Sequence, residues 1–114
     1  MPAHRNFISG KWLPAASGRT FPSLNPATEK PIGRFAASDR RDIAAAVAAA
    51  ERALPSWSAT PAPKRGAILL KAAQLLRQSK EKLARLETQE MGKVLAEARG
   101  DVQEAIDIAE FMAG

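Results

Sequence analysis

The 114-residue chain has no cysteine, no tyrosine and one histidine. Without cysteine there is no disulfide, no thiolate metal site and no cysteine nucleophile within these residues. A missing disulfide framework suits a reducing compartment, so a cytoplasmic location is expected. No apolar run approaches the ~20 residues that span a bilayer. The opening Met1-Pro2-Ala3-His4-Arg5-Asn6 lacks the apolar stretch of a secretory leader. These absences predict a soluble protein with no membrane partner. The seven glycines are scattered, and no G-x-G-x-x-G run is present to cradle a dinucleotide pyrophosphate. His4 falls in a terminus expected to be mobile, which argues against a catalytic imidazole.

Acidic residues are outnumbered: 17 Lys and Arg against 12 Asp and Glu give a net charge of +5 and a pI of about 10.1. Such a balance raises nucleic acid as a partner. The basic residues, however, are spread from Arg5 to Arg99 and mixed with acids rather than gathered in a block. Aromatics make up 5%, too few for a base-stacking platform. No nucleic-acid partner is expected. At 46% hydrophobic the chain can form a core, although a chain of this length buries only a modest fraction of its surface.

Two regions follow from the pattern, 1–37 with strands and turns and 38–114 with helices. In the first, Phe7-Ile8 and Lys11-Trp12 flank Ser9-Gly10, a tight hairpin turn. Thr20-Phe21 and Ser23-Leu24 lead into Asn25-Pro26-Ala27-Thr28, where Asn before Pro favours a turn. Ile32 to Phe35 is the returning strand, and Pro22 places its own strand at an edge or at a strand start. In the second region Ser38 is the expected cap of a helix starting near Asp39, with Asp39 and Asp42 favourable to its N-terminal dipole. Ile43, Val47, Ala50 and Leu54 form its apolar stripe, and Pro55 is expected to end it. After a link over Pro55 to Pro63, a second helix runs from about Pro61 or Pro63 to Gln78 with Ile68, Leu69, Ala72, Leu75 and Leu76 as its buried face. Ser79 is expected to cap a third, which carries Leu83 and Leu86 and which Gly92 stops. Glu81 and Arg85 stand four apart in the favourable order, worth ~0.2–0.5 kcal/mol.

A fourth helix begins near Leu95. Leu95, Ala98, Val102, Ala105, Ala109 and Met112 make one apolar seam, while Ile106, Ile108 and Phe111 lie off it and call for a second covered face. Nothing that follows supplies that cover, so truncation of a longer protein is expected. The acid pairs Glu87 with Glu90, Asp101 with Glu104 and Asp107 with Glu110 each lie three apart, which suits a solvated helix face better than acid–base chemistry. Trp12 and Trp57 are expected to pack. The fold class is therefore α+β, with short antiparallel strands followed by about four α-helices.

Taken in order, these pieces resemble the N-terminal segment of the aldehyde dehydrogenase superfamily. The residues that carry the resemblance are Phe7 to Trp12, then Thr20 to Thr28 with Ile32-Gly33, then Ala45 to Ala50 ahead of Trp57 and Arg65. Leu86-Glu87 through Glu90-Met91-Gly92-Lys93 and Gly100-Asp101-Val102-Gln103-Glu104 complete the series. The resemblance implies a longer α/β parent of Rossmann type that binds NAD or NADP in a later region. That parent would oxidise a small-molecule aldehyde to a carboxylic acid. A cysteine thiolate would attack the aldehyde, hydride would pass to the nicotinamide, and the thioester would be hydrolysed. None of those catalytic or cofactor-binding residues would lie in this chain, which alone is expected to be inactive. The parent would be a homodimer or homotetramer.

Three positions are also implied by the resemblance. Glu90, with the main-chain carbonyl near Leu24, matches a monovalent-cation site of some members; a simple helix-end carboxylate accounts for Glu90 equally well. Gly100 and Glu104 match positions that line the substrate entrance. In the antiquitin-like branch the glutamate of a similar V-Q-E run meets the substrate's amino group, which would gain a charge-assisted hydrogen bond. An exposed surface carboxylate is the alternative for Glu104. A competing interpretation of the whole chain is a free-standing helical protein-interaction module, using the last helix to bind a partner.

Overall fold

The structure, a computed structural model, describes residues 2–114. The chain forms five strands, β1 (Ala3–His4), β2 (Asn6–Ile8), β3 (Lys11–Leu13), β4 (Thr20–Leu24) and β5 (Pro31–Ala36). Four helices follow, α1 (Arg40–Ala59), α2 (Ala62–Gln78), α3 (Lys80–Met91) and α4 (Leu95–Ala113). They divide into two compact units, one up to Ser58 and one from Ala59 to Gly114.

In the first unit β2 and β3 form the expected hairpin, with Phe7 opposite Trp12. Ser9 (φ 54°) and Gly10 (φ 76°) both take left-handed backbone, the requirement of the two-residue turn that matches strand twist. A three-stranded sheet has the order β1-β5-β4. Pro22 sits on β4, an edge strand, where its missing N–H breaks no ladder. The Asn25 side chain builds the β4–β5 turn by accepting from the N–H of Ala27 at 2.8 Å and of Thr28 at 3.3 Å. Two expectations fail here. The strands are not all antiparallel, because β1 pairs parallel to β5. His4 is not in a loose tail: it lies in β1 with its ring stacked on Phe35 at 4.7 Å between centroids.

Asp39, not Ser38, caps α1. The Asp39 carboxylate accepts from the N–H of Arg41, and the Asp42 carboxylate reaches back to the N–H of Asp39, each at 2.9 Å. This is the reciprocal arrangement of a capping box. The Ser38 hydroxyl is instead engaged with the Asn6 amide. Nor does Pro55 end α1, which runs on to Ala59. Proline removes one hydrogen bond, to the carbonyl of residue 51. Residues 50 to 59 are exposed throughout, so this stretch of the helix is open to solvent. The Ser56 and Ser58 hydroxyls bond back to the carbonyls of Ala53 and Pro55. The apolar stripe of α1 is exposed: Ile43, Val47 and Leu54 all face solvent.

The core of the second unit is Ala73, Ala84, Ala98, Val102 and Ile106, with Leu76, Leu83, Leu95 and Ala109 packed around it. Small residues dominate because the helices approach closely. A Cβ placed on Gly66 of α2 would lie 2.3 Å from the Ala113 carbonyl oxygen of α4, so only glycine fits there. The buried face of α2 is accordingly Gly66, Leu69, Ala73 and Leu76, and Ile68, Ala72 and Leu75 stay exposed. On α4 the seam turns through Ile106, which is wholly buried, while Ala105 and Met112 are exposed. On α3 the residue at the centre is Ala84, and Leu86 is exposed. Ser79 makes no side-chain cap for α3.

Candidate functional site

The exposed face of α4 brings two of the expected site residues together. Gly100 and Glu104 stand one turn apart, both exposed, in line with Ile108 and Phe111, which is 77% exposed. At roughly 100° per residue this row lies about 200° round the helix from the seam Ala98–Val102–Ile106–Ala109. Burial of the seam therefore fixes which way the row points. A Cβ added at Gly100 would meet nothing within 4 Å, so the row opens as a notch beside the Glu104 carboxylate.

Three polar clamps hold α4 against α3. Arg99 grips the Glu81 carboxylate with two hydrogen bonds, at 2.9 and 2.8 Å. The expected Glu81–Arg85 pair is also present at 3.0 Å. Hydrogen bonds from Arg99 hold the Glu81 carboxyl down at about 2. At the other side of the turn Gly92 takes left-handed backbone (φ 80°) and its N–H closes α3 on the Thr88 carbonyl. The turn delivers the Lys93 ammonium to Asp101 and, at 4.0 Å, to Glu87. The two carboxylates share this one cation. The Lys93 bond lowers the Asp101 pKa, and the neighbouring Asp101 carboxylate raises that of Glu87. A third contact runs from Lys80 to Gln103 (2.9 Å) and from Gln103 to Asp107 (2.8 Å). The clamps at Arg99, Asp101 and Gln103 lie immediately beside Gly100 and Glu104. They fix the rotation of α4 about its axis.

Leu24 ends β4 in the first unit, and Glu90 lies in the last turn of α3 in the second. Among the described residues no group of three or more His, Asp or Glu is placed to hold a metal ion. No helix among the described residues is long and apolar enough to cross a membrane. The acid pairs separate as well. Asp101 is bound to Lys93, whereas Glu104 keeps an exposed carboxylate. Asp42 was missed as a structural centre. It is 8% exposed and its carboxylate accepts from the N–H of Ala16 at 2.9 Å as well as capping α1. Its spacing three residues after Asp39 was the available signal.

The model of the aldehyde dehydrogenase family matches residues 12–114. The chain belongs to the aldehyde dehydrogenase family. Among curated relatives it is similar to a malonate-semialdehyde dehydrogenase of Bacillus pumilus strain SAFR-032, at 44% identity over 110 residues. That match covers 96% of this chain and 23% of the relative. Among solved structures it is similar to a betaine aldehyde dehydrogenase mutant of Staphylococcus aureus in complex with NAD+, with TM-score 0.93 and 32% identity. It is likewise similar to an NADP-dependent enzyme of E. coli, with TM-score 0.94 and 37% identity. Each of these two matches covers 97% of this chain and 23% of the other. The chain thus spans about 23% of the length of the relatives it matches. In this family member the hairpin, the Asn25 turn and the four helices are the N-terminal segment's own architecture, not that of a purely helical adaptor.

Proposed function

We propose that the chain is the N-terminal segment of an NAD(P)-dependent aldehyde dehydrogenase that oxidises an aldehyde to a carboxylic acid, and that Gly100 and Glu104 line the approach to its substrate. The observation that carries this is the exposed row on α4, aimed away from the buried seam of a chain that belongs to this family. The residues present do not fit a dinucleotide. The glycines form no phosphate loop and the sequence holds no cysteine, so binding of NAD or NADP and the covalent step fall to residues outside this chain. What these residues supply is recognition. Gly100 leaves room for substrate, and the Glu104 carboxylate attracts an aldehyde bearing an ammonium group.

The complete enzyme works on a small-molecule aldehyde, as a homodimer or homotetramer in the cytoplasm, with no nucleic-acid or membrane partner. The exposed apolar row of α1 supports assembly, since a face of that kind is covered in a working protein. Light scattering of the complete enzyme checks the assembly.

The test of substrate approach uses the complete enzyme and its Glu104→Gln variant, with reduced nicotinamide as the readout. Loss of a charge-assisted hydrogen bond, worth about 1.5–3 kcal/mol, lowers kcat/KM for an amino-aldehyde by roughly tenfold or more. A neutral aldehyde of the same length is unaffected. An unchanged ratio between the two substrates removes Glu104 from the substrate path. Absence of any aldehyde oxidation in the complete protein removes the activity itself.

A further inference from the structure

A cavity of about 190 Å³ lies in the first unit. Its walls include His4 of β1, Arg5 just after it, Arg19 before β4 and Thr20 at the start of β4. It is below the ~300 Å³ at which pockets for drug-sized ligands begin, and has room for about six waters at ~30 Å³ each. The space suits a small ion or a single head group.

The charge around it is one-sided. Arg34 of β5 donates through Nε to the Thr20 hydroxyl oxygen at 2.9 Å and through Nη2 to the Thr20 carbonyl at 3.5 Å. This puts a third guanidinium on Thr20, a residue of the cavity wall. Among the described residues none of the three forms an ion pair. Asp39 acts on Arg19 at a distance, but its carboxylate is held by Arg41 at 2.8 Å. Asp42 is committed to two backbone N–H groups and lines a different groove, with Phe7, Ile8 and Ile43. Because the Thr20 oxygen accepts from Arg34, its hydroxyl proton is available to a guest. Two like charges at the wall of a small cavity, Arg5 and Arg19, are unfavourable until an anion joins them, and guanidinium groups present paired N–H donors that match oxyanions.

We propose that this pocket binds a tetrahedral oxyanion, a phosphate group, between Arg5, Arg19 and Thr20. The phosphate can be the free ion or the end of a small phosphate ester, since both offer the same oxygens. The chain is titrated with inorganic phosphate, and separately with glycerol phosphate, against sodium chloride at matched ionic strength. Backbone amide resonances are followed by NMR. Saturable shifts centred on Gly18, Arg19, Thr20 and Ala36 are expected with phosphate and absent with chloride. Tighter binding of the ester identifies an organic phosphate as the ligand; equal or weaker binding identifies the free ion. The R5Q/R19Q double variant weakens binding at least tenfold, while a K11Q/K30Q variant, with the same loss of charge outside the pocket, keeps it. Shifts that follow ionic strength alone, or equal weakening by the two double variants, overturn the proposal. If R5Q/R19Q loses its dispersed spectrum, R5Q alone carries the test, and undiminished affinity in it is a refutation.

Discussion

In the second unit Ala73, Ala84, Ala98, Val102 and Ile106 form a core between α2, α3 and α4, and polar clamps surround it. In the first unit, among the described residues, Ala15 and Asp42 are the buried side chains. Strand ladders, the Asn25 turn and the Asp42 carboxylate supply its order. One unit is specified by the shape of small side chains, the other by directed hydrogen bonds. Close packing resists a change of volume and tolerates changes at the rim. A hydrogen-bonded frame tolerates volume and fails when one acceptor is lost.

Both tryptophans, Trp12 and Trp57, lie in the first unit, so their fluorescence reports it selectively. Amide exchange in α4 reports the second. The sharpest contrast is expected from Ile106→Ala, which opens a cavity in the second unit's core and costs about 2–5 kcal/mol. Exchange protection in α4 falls while the tryptophan transition stays in place; a matching shift in both probes breaks the contrast. Gly66→Ala puts a methyl group against the Ala113 carbonyl and costs about 1–3 kcal/mol, again in the second unit alone. An unchanged melting temperature for this variant would mean that α2 and α4 separate freely. Asp42→Ala reverses the pattern. It leaves the N–H groups of Ala16 and Asp39 without their acceptor, costs about 1–3 kcal/mol, and lowers the tryptophan transition while α4 stays protected.

The smallest effect is one of pH. Glu81 is held at about 2 in the folded chain against 4.5 for the free side chain. Its stabilising contribution is therefore complete above about 4.5 and is lost as pH falls toward 2. Glu87 has the opposite sign: its raised pKa favours the folded state at low pH, and that contribution fades as pH rises. Glu81→Gln should flatten the acid loss of α4 protection, and Glu87→Gln should steepen it. Identical acid profiles in the two variants would show that neither carboxylate controls the clamp.

The hairpin, the Asn25 turn, the edge placement of β4 and the stop at Gly92 were legible because local backbone chemistry decides them. The faces of the helices were only half legible. Periodicity nominated the large residues Ile68, Leu75 and Met112, but the close approach at Gly66 selects Ala73, Ala84 and Ala98 for the interior. Sequence spacing cannot reveal an interhelical distance. Pro55 misled for a related reason: a proline breaks a helix only where the lost hydrogen bond cannot be made good by water. Of the site, the pairing of Gly100 with Glu104 on one face was readable from their spacing of four. The clamps that hold that face, Glu81 with Arg99 and Lys93 with Asp101, join residues 18 and 8 apart and needed the turn at Gly92 to be seen.

The parallel pairing of β1 with β5 sets an order of events for the growing chain. Ala3 lies opposite Arg34 and His4 opposite Phe35, so β1 has its partner some thirty residues later in the chain. The β4–β5 hairpin closes over a few residues and can form at once, whereas β1 must close a loop several times longer. Although it precedes them in the chain, β1 joins the sheet after the hairpin that templates it. In refolding followed by pulsed exchange, the β4–β5 amides gain protection before those of β1, and the stacking of His4 on Phe35 is the mark of a completed sheet.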